Sequence, residues 1–148
     1  MPTLPIGWAG WALLSAAFAA LTAILAKIGV AGVPSDVATF VRTIFVVVVL
    51  FIIVVATGQL HAIAELHPRT VTFLALSGLG TGASWLCYFR ALQLGDASRV
   101  APIDKLSVVF VAIFASLFLG ERLSPLNWAG VAMVAIGVIL TAVKTGAS

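Results

Sequence analysis

The sequence predicts an all-α membrane protein with five transmembrane helices. Three observations lead there. Of 148 residues, 62% are apolar; only 9% are charged, well under half the share in an ordinary soluble domain; and the apolar runs break only where Gly, Pro and charges cluster. A helix needs about 20 apolar residues to cross a hydrocarbon layer of roughly 30 Å. Five runs meet that length, at 6–28, 36–57, 69–92, 98–119 and 125–143. This composition excludes a water-facing globule. The single cysteine, Cys87, forms no internal disulfide, and no Cys/His spacing offers a metal site, so neither metal nor cofactor is expected. Eight scattered basic residues make no nucleic-acid-binding patch. No P-loop, GxGxxG, HExxH or GxSxG motif is present, and no nucleophile with a base lies in the spans, so an enzyme is not expected.

The first run is a span rather than a signal peptide, because it lacks a basic leading region and ends in Lys27-Ile28-Gly29 without a small-residue cleavage pattern. Gly32-Val33-Pro34-Ser35-Asp36 ends that helix and caps the second. The stretch 58–68 is the only loop of any length. The links at 93–97 and 120–124 are short, and Pro125 is placed to open the fifth helix. Short links make neighbouring helices antiparallel and adjacent, and the five runs leave no room for a soluble domain. Five crossings put the two termini on opposite sides. Arg69 and Arg122 lie on the N-terminal side, and Lys27, Arg90, Arg99 and Lys144 on the other, with Arg42 and Lys105 discounted because they sit inside spans. That bias favours a cytoplasmic C-terminus but is thin, which keeps dual insertion open.

Ionisable groups inside spans cost about 2.5 to 3.5 kcal/mol each on insertion scales, and they pair or face a wet cavity. Arg42 in the second span and Asp104 in the fourth both lie roughly 9 Å below one surface at 1.5 Å per residue, a depth that permits a pair. Lys105, turned about 100° from Asp104, is expected to point elsewhere and reach the headgroups. Lys27 and Arg90 close the first and third spans. Two readings stand: a substrate site, or end-of-helix charges with a structural salt bridge. Polar stripes support a cavity, with Asp36, Thr39, Arg42 and Thr43 on one helix and Ser77, Thr81, Ser84 and Tyr88 on another. Trp85 and Tyr88 offer ring faces to a ligand, whereas Trp8, Trp11 and Trp128 at span ends read as interfacial anchors. Gly78, Gly82, Gly130 and Gly137 read as helix-packing positions. Pro102 opens the fourth helix, or alternatively breaks it and exposes carbonyls at a site. Arg42, Trp85, Tyr88, Asp104 and Lys105 are the candidate substrate contacts. Their excess of positive charge favours an anionic or zwitterionic small molecule.

The C-terminal three spans carry a recognisable series: Tyr88-Phe89-Arg90-Ala91-Leu92, Ala97-Ser98-Arg99-Val100-Ala101-Pro102, Leu119-Gly120-Glu121-Arg122-Leu123-Ser124, then Trp128-Ala129-Gly130 and Gly137. It resembles an EamA-type repeat of the drug/metabolite transporter superfamily, in its single-repeat bacterial and archaeal branch. The first two spans fit by length and order. The resemblance implies that residues 1–148 form one EamA-like transmembrane domain, half of a ten-helix inverted-repeat transporter fold. It implies a secondary transporter of small metabolites or drugs in the cytoplasmic (inner) membrane, completed by an antiparallel homodimer. The small multidrug resistance relatives use a glutamate in the first helix for proton and cation exchange. The first helix here holds no acid, so that mechanism does not carry over. The alternatives are a non-transporting assembly subunit and a flippase-like partner for a lipid substrate.

Overall fold

The computed structural model describes residues 7–142. Its regular secondary structure over those residues is all helical: α1 (Trp8–Gly29), α2 (Ser35–Ala56), α3 (Leu60–Ala64), α4 (Pro68–Leu94), α5 (Ala97–Asp104), α6 (Ser107–Phe118) and α7 (Pro125–Ala142). Five helical segments are long and apolar enough to cross a membrane, with α5 and α6 together supplying the fourth. The ends of the first and last expected spans, at residues 6 and 143, and Lys144 of the charge tally lie outside the described residues.

Lipid, more than intrinsic propensity, explains these helices. The run Val46-Val47-Val48-Val49 in α2 is β-branched and a poor helix former in water. In hydrocarbon every backbone N–H and C=O must bond within the segment, which leaves a helix as the solution for a single strand of chain. Large side chains stay exposed accordingly, from Leu13 to Leu140. α4, at 27 residues, is roughly 40 Å long at 1.5 Å per residue, longer than the hydrocarbon layer.

The chain forms two compact units, one ending at Gln93 and the other beginning at Leu94. In the first, the buried side chains are Ala23, Val30, Thr39, Phe89 and Leu92. In the second they are Ala112, Ala115 and Val138, with α7 packed against both α5 and α6.

The links behave largely as their residues dictate. Gly58, at φ 68°, ends α2 in a Schellman motif: its N–H bonds to Val55 O at 3.0 Å and that of Gln59 to Val54 O at 3.0 Å. Loop 58–68 is not wholly irregular, since it folds one short helix, α3. Ser124 Oγ accepts the Asn127 N–H at 3.2 Å with Pro125 as the first residue of α7, the expected opening.

Two expectations are corrected. Pro102 lies inside a helix, and that helix breaks two residues later; Lys105 N–H bonds to Pro102 O and Leu106 N–H to Ile103 O, three residues back rather than four. The helix therefore breaks after Pro102 rather than starting at it. At Gly78, Gly82, Gly130 and Gly137 an added Cβ would meet nothing within 4 Å among the described residues, so these glycines do not mediate the expected close helix approach among those residues.

Candidate functional site

Arg42 sits two turns into α2, half-buried. Its guanidinium carbon lies 4.0 Å from the centroid of the Trp85 ring and 5.6 Å from that of Phe89. Cation–π contacts of this kind contribute about 0.5 to 2 kcal/mol, more as water is excluded. Trp85, Phe89 and Leu92 fall at i, i+4 and i+7 on α4, one face of the helix. Phe89 and Leu92 are buried, and Leu92 fully so. Sequence reading chose Tyr88, one residue away, because it sought polar groups. The signal for Phe89 was the apolar i+4 spacing from Trp85. Tyr88 is half-buried beside it, ring edge towards Phe89 with centroids 6.5 Å apart.

Arg42 also forms part of the wall of a cavity of about 550 Å³ between the C-terminal half of α1 and the N-terminal half of α2. Among the described residues, Thr22 is its only polar lining side chain besides Arg42; the rest is apolar, including Val41, Phe45 and Phe89. Among the described residues, no hydrogen bond or ion pair engages the guanidinium, which carries five donors and lies against aromatic rings.

Several other polar groups of this unit are bonded within it. The hydroxyls of Thr39, Thr43 and Thr81 donate to Ser35 O, Thr39 O and Ser77 O at 2.7, 2.8 and 3.0 Å, the one-turn-back bond available to a threonine on a helix. The stripes read as cavity lining are thus partly self-bonded, and Ser77, Thr81 and Ser84 are exposed in the chain. Lys27 Nζ donates to Leu92 O at 2.6 Å, at the C-terminal end of α4 where carbonyls lack intrahelical donors. Gln93 accepts from Arg90 at 3.1 Å and donates to Val33 O at 2.5 Å, tying the α1–α2 link to α4.

In the second unit, Lys105 Nζ lies 3.2 Å from Asp104 Oδ2. This corrects the expectation that the two point apart. Lys105 is the C-cap of α5, off the regular helix, and its long side chain folds back. The pair is substantially exposed. Arg99 donates to Ala142 O at 2.7 Å, on the last described residue of α7.

The pattern of the EamA-like transporter family matches residues 6–143. The chain belongs to that family. As an EamA-family member with five spans, it is a multi-pass membrane transporter. It is 63% identical over 136 residues to a Sinorhizobium sp. protein described as an uncharacterized transporter in the cobO 3' region, covering 92% of this chain and 96% of that one. It is 32% identical over 71 residues to a Yersinia pestis (strain Pestoides F) protein described as a probable 4-amino-4-deoxy-L-arabinose-phosphoundecaprenol flippase subunit, ArnE, covering 48% of this chain and 62% of that one. No solved structure matches.

Proposed function

We propose that this EamA-family protein is a secondary transporter of small metabolites or drugs in the cytoplasmic membrane, working by alternating access as an antiparallel homodimer. The observation that carries the reading is Arg42: a cation within a span, on the wall of a cavity, with aromatic contacts and no hydrogen-bond acceptor among the described residues. Intramembrane charges without a structural partner mark substrate or ion pathways. Arg42, Trp85 and Tyr88 are the proposed substrate contacts of the first unit. Asp104 and Lys105 are proposed as a charged pair in the second unit that substrate engages in its turn. Five helices resemble one half of an inverted-repeat transporter, and two oppositely inserted copies supply the two exchangeable halves. A transporter family is consistent with the expected absence of enzymatic chemistry.

A second reading has support from the likeness to a flippase subunit: a heterodimeric partner acting on a lipid-linked substrate. Topology separates the two. In a Cys87→Ala, Ser148→Cys variant, whose only thiol is at the last residue, an impermeant thiol reagent applied to intact cells labels about half of the protein if insertion is dual. Labelling of all or none overturns the antiparallel homodimer and favours a fixed orientation with a different partner.

A further inference from the structure

The α1/α2 cavity carries more chemical information than its volume. About 550 Å³ falls in the range of pockets for metabolite- and drug-sized ligands. Among the described residues its one charged lining residue is Arg42, and no acidic side chain lines it. A ligand with a second charge would leave that charge desolvated without a partner. The guanidinium, against Trp85 and Phe89 and with no hydrogen-bond acceptor among the described residues, carries the forked donors that suit a two-point carboxylate contact. A phosphate monoester brings more charge, about −1.5 to −2 at neutral pH, than one cation balances. The remaining wall, with Val37, Val41, Phe45 and Phe89, is apolar. Val33 and the α1–α2 link also border a second cavity of about 510 Å³ that includes Lys27 and Arg90.

We infer that this cavity selects a water-soluble organic monoanion: an apolar, branched or aromatic body bearing one carboxylate, held on Arg42 with its body against α1 and α2. This deepens the proposed function, since it rests on Arg42 being a substrate contact. It narrows the substrate from anionic or zwitterionic to anionic alone.

The test uses the full chain reconstituted in phosphatidylcholine vesicles, with tryptophan fluorescence reporting binding and vesicle swelling reporting uptake. The probes are phenylpropionate, its neutral amide, phenylalanine and, as a lipid-like anion, dodecyl phosphate. Phenylpropionate is expected to bind saturably, and the amide and phenylalanine about 10- to 100-fold more weakly. Arg42→Ala is expected to weaken phenylpropionate by a similar factor, with Arg42→Lys in between. Gly29→Leu, at a lining position where an added Cβ meets nothing within 4 Å, fills the cavity without touching the charge, and is expected to weaken binding about tenfold or more. Equal binding of phenylalanine, unchanged binding in Arg42→Ala or in Gly29→Leu, or saturable binding of dodecyl phosphate alone overturns the inference. Uptake of another compound class that is lost in Arg42→Ala overturns the substrate class while leaving the transport reading standing. Failure of every probe to bind or permeate overturns the substrate class too, and the topology measurement then judges the antiparallel transporter separately.

Discussion

Arg42 in the first unit and Arg99 in the second are the same side chain in opposite circumstances. Arg99 donates to Ala142 O at 2.7 Å, joining α5 to α7. Arg42 lies against the rings of Trp85 and Phe89 and beside an apolar cavity, its donors unengaged among the described residues. One charge completes the fold and the other is offered outward. Lys27 belongs with Arg99, because it too reaches a backbone carbonyl, that of Leu92 near the end of α4. A charge within or beside a span is therefore informative only once its acceptor is known, and basic residues near helix ends have acceptors within reach that a residue two turns inside does not.

Four substitutions break or sharpen that contrast. Arg42→Ala has the largest expected effect, a loss of uptake on the order of 100-fold in reconstituted vesicles. Its thermal unfolding in detergent is expected to shift by no more than the loss of a cation–π contact, about 0.5 to 2 kcal/mol. Arg99→Ala reverses the order: about 1.5 to 3 kcal/mol of stability is lost with a charged hydrogen bond, while the apparent affinity for substrate holds. Were Arg99→Ala to abolish binding at unchanged stability, the contrast would collapse. Gly58→Ala tests the link rather than the charge. A side chain at φ 68° is expected to cost about 1 to 2 kcal/mol in the same unfolding measurement, without altering uptake. Smallest in stability is Asp104→Asn, which removes an exposed ion pair contributing about 0 to 1 kcal/mol. A fall in uptake with that variant at unchanged melting temperature supports a substrate role for Asp104, and unchanged uptake removes it from the proposed contacts.

Much of the fold was legible residue by residue. Runs of about 20 apolar residues between Gly, Pro and charge clusters read as spans, and Pro125 after Ser124 opened the last helix as written. The fourth span was harder. Pro102 announces a disturbance, but whether it starts a helix or precedes a break depends on how the chain turns at Lys105 and Leu106, where bonds three residues back replace bonds four back. At the candidate site, Arg42 and Trp85 were legible as a rare intramembrane cation and a mid-span aromatic, and the structure brings them together. Phe89 was not, because an apolar residue in an apolar helix carries no mark of function until a cation lies against it.

By itself, then, the sequence determined the number of spans, their helical form and the family resemblance. Those follow from hydrophobic length, the need to bond every backbone group in lipid, and motifs local to a few turns. The tertiary structure decided which charges are engaged and which are not. Lys27 finds Leu92 O, 65 residues away, Arg99 finds Ala142 O, 43 away, and Arg42 finds two aromatic rings. Such pairings depend on the separation of groups distant along the chain, a quantity that hydrophobic length and local spacing do not encode.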